Sequence, residues 1–263
     1  TSLVKHGQDV VLTFTASETI GTPTVTFLSG GDSTNDGTIS YVNTNGNTWT
    51  ATYDVLWADT QGLVTFSIAF SDSATNAGTP VTSTSDNSSV TVDRVAPIFS
   101  EVTPVSTNTK DTTPDYTFTT NEVGTLTTSL NSGFSSGASI NINSTGSNTI
   151  TFAQLSEATY SGVTLTMTDA TGNTRDLTIS TFTVDTTAPT ITTFSMVDTA
   201  LKAGETSAVS IVFSEAVTGF TKADITAPSG SLSDLTTNDN ITFASVFTPT
   251  ADTTDSQNLS LIH

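Results

Sequence analysis

Cysteine is absent from the 263 residues, which excludes disulfide staples and thiolate metal sites. Basic residues are almost as scarce, six Lys and Arg against 25 Asp and Glu, for a formal net charge of −19 at pH 7. So acidic a surface repels phosphate, which excludes nucleic acid and an anionic membrane surface as partners. No apolar run is long enough to form a membrane-spanning helix, so direct membrane insertion is not expected. No initiator Met or signal-peptide pattern is present, and Thr1 stands directly before a strand; the chain reads as a fragment of a longer protein. Only two histidines occur, His6 and His263, one near each end. A Ser-His-Asp triad needs a His held in the middle of a fold, so an enzyme is not expected.

What the chain does have is threonine, its commonest residue, followed by Ser and Val. β-branched residues fit a pleated sheet better than a helix, and no stretch of a dozen residues shows helical periodicity. Hydrophobic residues make up 35%, enough for several small cores rather than one large one. The expected class is all-β.

Repetition gives the organisation. Val92-Asp93-Arg94-Val95-Ala96-Pro97 returns as Val184-Asp185-Thr186-Thr187-Ala188-Pro189, with a spacing that suits one sandwich domain. Each string closes an alternating strand and opens another, and its proline makes the joint short and semi-rigid. Landmarks recur in order within each unit. An early strand precedes an acid: Val11 to Phe14 before Glu18, Tyr116 to Phe118 before Glu122, Ile211 to Phe213 before Glu215. A long strand follows: Trp49 to Val55, Asn148 to Phe152, Ile241 to Phe247. Next come Leu63 to Phe70 and Val163 to Met167, which run into the turns Asp72-Ser73-Ala74-Thr75-Asn76 and Asp169-Ala170-Thr171-Gly172-Asn173. Period-2 strands with Gly, Asn, Asp and Ser at the joints predict three tandem immunoglobulin-like antiparallel β-sandwich domains. The expected bounds are 1–95, 96–187 and a truncated third at 188–263. Leu259-Ser260-Leu261-Ile262-His263 back-translates to the start of a transposon-based sequencing adapter and is read as a candidate artefact.

The combination Phe-x-x-x-Glu, Asp-x-x-Gly-Asn and Val-Asp-Thr-Thr-Ala-Pro resembles the bacterial immunoglobulin-like repeats of very large surface proteins, including repeat adhesins exported by type I secretion. Leu201 to Thr206 and Phe213 to Phe220 are similar to another branch of that group. The resemblance implies an extracellular or cell-surface location and a stalk or spacer role. The implied partners are neighbouring repeats of the same chain and a host-cell or biofilm surface ligand. Its alternatives are a carbohydrate- or protein-binding module, or accessory domains of a secreted hydrolase.

Alternating strand direction places the acids. The loops after the second and sixth strands of a sandwich lie at its entry pole, and the loop before the sixth lies at its exit pole. Glu122, Asp169 and Asn173 should therefore gather beside Asp93, with Asp59 approaching from the preceding unit. Like charges about 4 Å apart repel by roughly 1 kcal/mol in water and roughly 4 at an effective dielectric of 20. Ca²⁺ accepts six to eight oxygen ligands in flexible geometry, and Asp93, Glu122, Asp169 and Asn173, with Asp59, are the expected first site. A second joint would use Asp185, Glu215 and Glu157. Glu18, Asp72 and Asn76 would form half of a third. Set against this, Asp, Asn and Gly are also the ordinary residues of tight turns.

Asp32-Ser33-Thr34-Asn35-Asp36-Gly37 partly matches an EF-hand loop. It has Thr at the third position, Asn43 where the bidentate Glu belongs, and strands on both sides, so it reads as a surface loop. Strand period buries Trp49 with Ala51, Tyr53 and Val55; Trp57, at a corner, is open to either reading. His6 is expected to be solvated.

Overall fold

A computed structural model describes residues 2–35, 38–202, 204–250 and the strand backbone at 260–261. The artefact candidate 259–263 therefore falls largely outside the described residues, as do Asp36 and Gly37 of the EF-hand-like loop. The described chain is all-β, apart from one 3₁₀ turn at Lys222–Asp224 capped reciprocally by Thr221 and Asp224. It divides into two compact units, Thr1–Thr186 and Thr187–His263. The first unit contains two separate hydrophobic cores and the second unit contains one.

The first sandwich contains β1 (Ser2–Val4), β2 (Asp9–Thr15), β3 (Thr24–Ser29), β4 (Asp32–Ser33), β5 (Ser40–Asn43), β6 (Thr48–Asp54), β7 (Gly62–Ala69) and β8 (Val90–Val92). One sheet has the order β1-β8-β7-β3-β4 and the facing sheet β2-β6-β5. Alternation does the sorting: β3 buries Val25 and Phe27, and β6 buries Trp49, Ala51 and Tyr53, while their neighbours face outward.

The second sandwich contains β9 (Phe99–Thr103), β10 (Asn108–Thr109), β11 (Asp115–Thr120), β12 (Gly124–Thr128), β13 (Ser139–Ile142), β14 (Gly146–Thr151), β15 (Ala158–Tyr160), β16 (Thr164–Thr168), β17 (Thr174–Thr178) and β18 (Phe182–Val184). Its sheets are β14-β11-β9 and β13-β12-β16-β17, with a third ladder β10-β18-β15. An aromatic chain runs through the core: Tyr116, Phe118, Phe134, Phe152 and Phe182 are all buried, with neighbouring ring centroids 6.0–6.4 Å apart.

The second unit contains β19 (Ile191–Met196), β20 (Ser207–Phe213), β21 (Ile225–Thr226), β22 (Gly230–Leu232), β23 (Thr242–Pro249) and β24 (Ser260–Leu261). Its sheet has the order β19-β20-β23-β22, and β21 pairs with β24.

Pairing is antiparallel throughout with two exceptions. β1 runs parallel to β8, and β10 runs parallel to β18, so each sandwich of the first unit ties an early strand to its last one. In both, the linker aspartate continues the ladder: Asp93 N donates to Val4 O at 2.8 Å and Asp185 N to Thr109 O at 2.9 Å. Two linkers of like sequence thus leave their sandwiches in the same way.

Threonine abundance has a local use. Hydroxyls pair across strands at Thr15–Thr48 (3.0 Å), Thr117–Thr149 (2.8 Å) and Thr159–Thr183 (3.0 Å). Cross-strand hydroxyl pairs of this kind stabilise a solvated sheet face by some tenths of a kcal/mol each, roughly 0.2–1.

Candidate functional site

The site forms where the linker after β8 meets two loops of the second sandwich. Carboxylate oxygens of Asp93, Glu122 and Asp169 lie within 4.8 Å of one another. Asp93 ends the first sandwich, Glu122 sits between β11 and β12, and Asp169 opens the turn between β16 and β17.

Asp169 is the most enclosed of the three, at 9% exposure. Its Oδ1 accepts from Thr171 N (2.8 Å), Thr171 Oγ1 (2.7 Å) and Asn173 N (2.9 Å), and its Oδ2 from Asn173 Nδ2 (2.9 Å). Burial, the largest influence, pushes its carboxyl up; the bonds from Thr171 and Asn173 together outweigh it and hold the group below the usual Asp value. Gly172, at φ +82°, supplies the left-handed residue that closes the turn.

Glu122 is driven the other way. Burial first, then the charges of Asp93 and Asp169, raise its carboxyl above the ordinary Glu value, opposed by one hydrogen bond from Asn121 Nδ2 at 3.2 Å. A proton or a cation would relieve that repulsion. Asn121 also fixes the chain beyond the linker: its Oδ1 accepts from Ile98 N at 2.6 Å, and its N donates to Ile98 O at 3.1 Å.

Asn173 enters the cluster as a donor. Its amide nitrogen reaches Asp169 Oδ2, Thr171 Oγ1 (2.7 Å) and the carbonyl of Asp93 (3.2 Å). With acceptors on every side, the NH₂ must face them, so this residue ties the turn to the linker rather than offering its oxygen. Asp59 is fully buried, but its carboxylate is engaged within the first sandwich: Oδ1 accepts from Asn35 N (2.7 Å) and Oδ2 from Leu56 N (2.8 Å). Its contribution to the joint is its carbonyl, which accepts from the Arg94 guanidinium.

The remaining expected ligands do not join a carboxylate cluster among the described residues. Glu18 is exposed, and Asp72 closes its own turn with Asn76. Glu157 Oε2 accepts from Thr186 N (3.2 Å) and Thr186 Oγ1 (2.8 Å). Glu157 and Asp185 belong to the first unit and Glu215 to the second.

Sequence reasoning missed Lys5, Asn121 and Thr171 at this joint. Lys5 Nζ donates to Gly172 O at 3.2 Å, so a loop of the first sandwich reaches the turn of the second. Hydrogen-bond donors around an acidic cluster leave no spacing pattern of their own. His6 is not simply solvated: its ring packs against Trp57, tilted by 30° with centroids 4.5 Å apart, and Arg94 lies 6.0 Å from the same indole. Trp57 is 68% exposed and Trp49 7%.

A family model described as a bacterial Ig-like domain matches residues 185–262. No curated protein matches the sequence. Among solved structures, the chain is similar to the titin I-band fragment I67–I69 at 10% identity, covering 95% of this chain and 86% of that one with TM-score 0.42. It is also similar to the D00-D0 domain of Intimin at 12% identity, covering 69% and 96% with TM-score 0.29. The immunoglobulin-like fold itself rests on the strand pairing described above. Among the described residues, no helix is long and apolar enough to cross a membrane.

Proposed function

We propose that the chain is a run of structural repeats, bounded at 1–95, 96–187 and 188–263, from the stalk of a bacterial surface or secreted adhesin. Calcium at the joint after β8 would stiffen it. The convergence of Asp93, Glu122 and Asp169 carries this reading. Oxygens about 2.4 Å from one Ca²⁺ can be at most about 4.8 Å apart, the span within which these three already lie. Asp93 and Asp169 are expected to coordinate the ion beside Glu122, with water completing the shell. Asn173 and Thr171 hold Asp169 in place. The ion would replace repulsion between two consecutive sandwiches with a shared charge, and the Glu122 carboxyl gains most from it.

Trypsin offers a direct test, because Lys and Arg are so few and Arg94 lies within the joint. Calcium should slow cleavage after Arg94 and raise the melting temperature, and a chelator should reverse both. Unchanged cleavage and melting at millimolar Ca²⁺ would remove the metal from the proposal.

A second reading rests on Trp57, whose exposed indole beside Arg94 could stack on a sugar ring. Glycan-array binding that Trp57→Ala abolishes would favour a carbohydrate-binding module over a spacer.

A further inference from the structure

One internal edge is covered in the first sandwich and in the second unit, and bare in the second sandwich. In the first sandwich β5 lies along β6, and in the second unit β22 lies along β23, both antiparallel. In each case the strand just before the long one covers its outer side. The second sandwich breaks this pattern. β13, the strand just before β14, pairs with β12 in the facing sheet. β14 therefore ends the sheet β14-β11-β9, and among the described residues no strand pairs with its outer side. The link between β13 and β14 is pinned where it crosses from one sheet to the other. Asn148 Nδ2 donates to Ser144 O (3.1 Å) and Gly146 O (3.0 Å), and its Oδ1 accepts from Ser144 Oγ (3.1 Å).

The backbone of β14 is set for pairing. It has six residues, against four in β5 and three in β22, and shortness is one way in which proteins blunt an edge. Phe152 N donates to Pro114 O at 3.1 Å, and on the other side Thr151 O accepts from Ser135 N at 3.0 Å. Antiparallel alternation then turns the N–H and C=O of Asn148 and Ile150 toward β11, and those of Ser147 and Thr149 outward. Beside this edge opens a groove of about 340 Å³, lined by Phe134, Ile140, Ile142, Asn148 and Ile150.

Charge separates this flank of the sandwich from the opposite one. β9 carries Glu101, and β17 carries Arg175 and Asp176. From 123 to 156 the sequence holds no Asp, Glu, Lys or Arg, so β12, β13 and β14 carry none. Asp115, paired with Thr151 at the far end of the β11–β14 ladder, accepts from Thr151 Oγ1 at 2.6 Å. Charged side chains on an edge strand keep like edges apart; this edge has none. Two copies of a chain with net charge −19 repel wherever their acidic surfaces face each other. The β14 flank is where they can meet without setting carboxylate against carboxylate.

We propose that β14 pairs with β14 of a second copy, antiparallel across a two-fold axis at Asn148. Ser147 of each copy then lies opposite Thr149 of the other, and each pair exchanges both of its main-chain hydrogen bonds. The two sheets join into one, and each copy covers the mouth of the other's groove. A two-fold contact of this kind uses up the edge and closes as a dimer rather than growing into a fibre.

The test is sedimentation velocity of the full chain in chelator, so that calcium plays no part. Protein concentrations from about 1 µM to 1 mM span the range expected of a contact smaller than a standard interface. A monomer–dimer equilibrium is expected. It should strengthen several-fold between about 0.01 M and 1 M salt, as the screening length falls from about 30 Å to 3 Å and the repulsion of the acidic bodies fades. Ser147 and Thr149 are both exposed, so two double variants test the register. Ser147→Glu with Thr149→Glu sets carboxylates opposite each other in both pairs and should weaken dimerisation at least about tenfold. Ser147→Glu with Thr149→Lys sets opposite charges there and should bring it back to within about threefold of the parent. Both variants lose the same two hydroxyls, so a folding defect common to them cannot produce the difference, and the parent's behaviour depends on neither. A parent chain that stays monomeric throughout, a dimer that high salt dissociates, or equal dimerisation by the two variants would each overturn the proposal.

Discussion

Two turns of the first unit have nearly the same internal geometry and different surroundings. In both Asp72–Asn76 and Asp169–Asn173, the aspartate N donates to the asparagine O at 3.0 Å. In both, Oδ1 of the aspartate accepts from the amides two and four residues on, and Oδ2 from the asparagine amide. Both hold their fourth residue at positive φ, Thr75 at 70° and Gly172 at 82°. Yet among the described residues only the second meets two further carboxylates. These two Asp-x-x-x-Asn turns therefore form with or without neighbouring acids, and a candidate site requires a linker acid and an acid such as Glu122, between β11 and β12, brought beside the turn.

The sharpest way to break this comparison is to remove both aspartates in turn. Asp169→Ala strips four hydrogen bonds from a nearly enclosed charge and should cost about 2–3 kcal/mol, as well as abolishing any calcium-dependent rise in melting temperature. Asp72→Ala should lower the melting temperature less and leave the calcium response intact. Equal loss of the response in both variants would place the ion elsewhere.

Exchanging the left-handed residues comes next. Gly172→Thr forces a β-branched side chain into the left-handed region and should cost roughly 1–2 kcal/mol in urea denaturation. Its added Cβ would also crowd the Lys5 ammonium.

A smaller effect, of opposite sign, is expected at Glu122. Its folded carboxyl lies above the unfolded value, so its contribution to stability is full below the unfolded pKa and is lost as pH rises through the folded one. Asp169, held low, contributes stability above its unfolded pKa that is lost as pH falls through the folded value. In chelator at pH 7, Glu122→Gln should therefore raise the melting temperature by about 1–3 °C, remove the decline above the ordinary Glu range, and weaken calcium stabilisation. A lower melting temperature in chelator would show that Glu122 is not repelled.

Smallest of all, Thr75→Gly should stabilise by less than about 1 kcal/mol, since relief of left-handed strain is partly offset by the greater freedom of glycine in the unfolded chain. A melting temperature that falls would show that the Thr75 side chain contributes more than its strain costs.

Much of this was legible in the sequence because it repeats. The linker strings around Asp93 and Asp185, the strands ahead of Glu122 and Glu215, and the turn at Asp169 all lie where period and order put them. The convergence of Asp93, Glu122 and Asp169 follows from strand direction alone. Side-chain orientation does not. Asp59 is near the joint in chain order, but the amides of Asn35 and Leu56 draw its carboxylate inward. Asn173 faces three acceptors and so turns its nitrogen to the cluster.

The two parallel ladders have a mechanical consequence. Chain entering along β1 and chain leaving along β8 travel in the same direction, so tension at the two ends slides one strand lengthwise past the other. Ser2, Leu3 and Val4 move against Val90, Thr91 and Val92 as a block, and Asn108 and Thr109 against Thr183 and Val184 likewise. Their hydrogen bonds are then loaded in shear, all together, where an antiparallel pair pulled from one end would open one bond at a time.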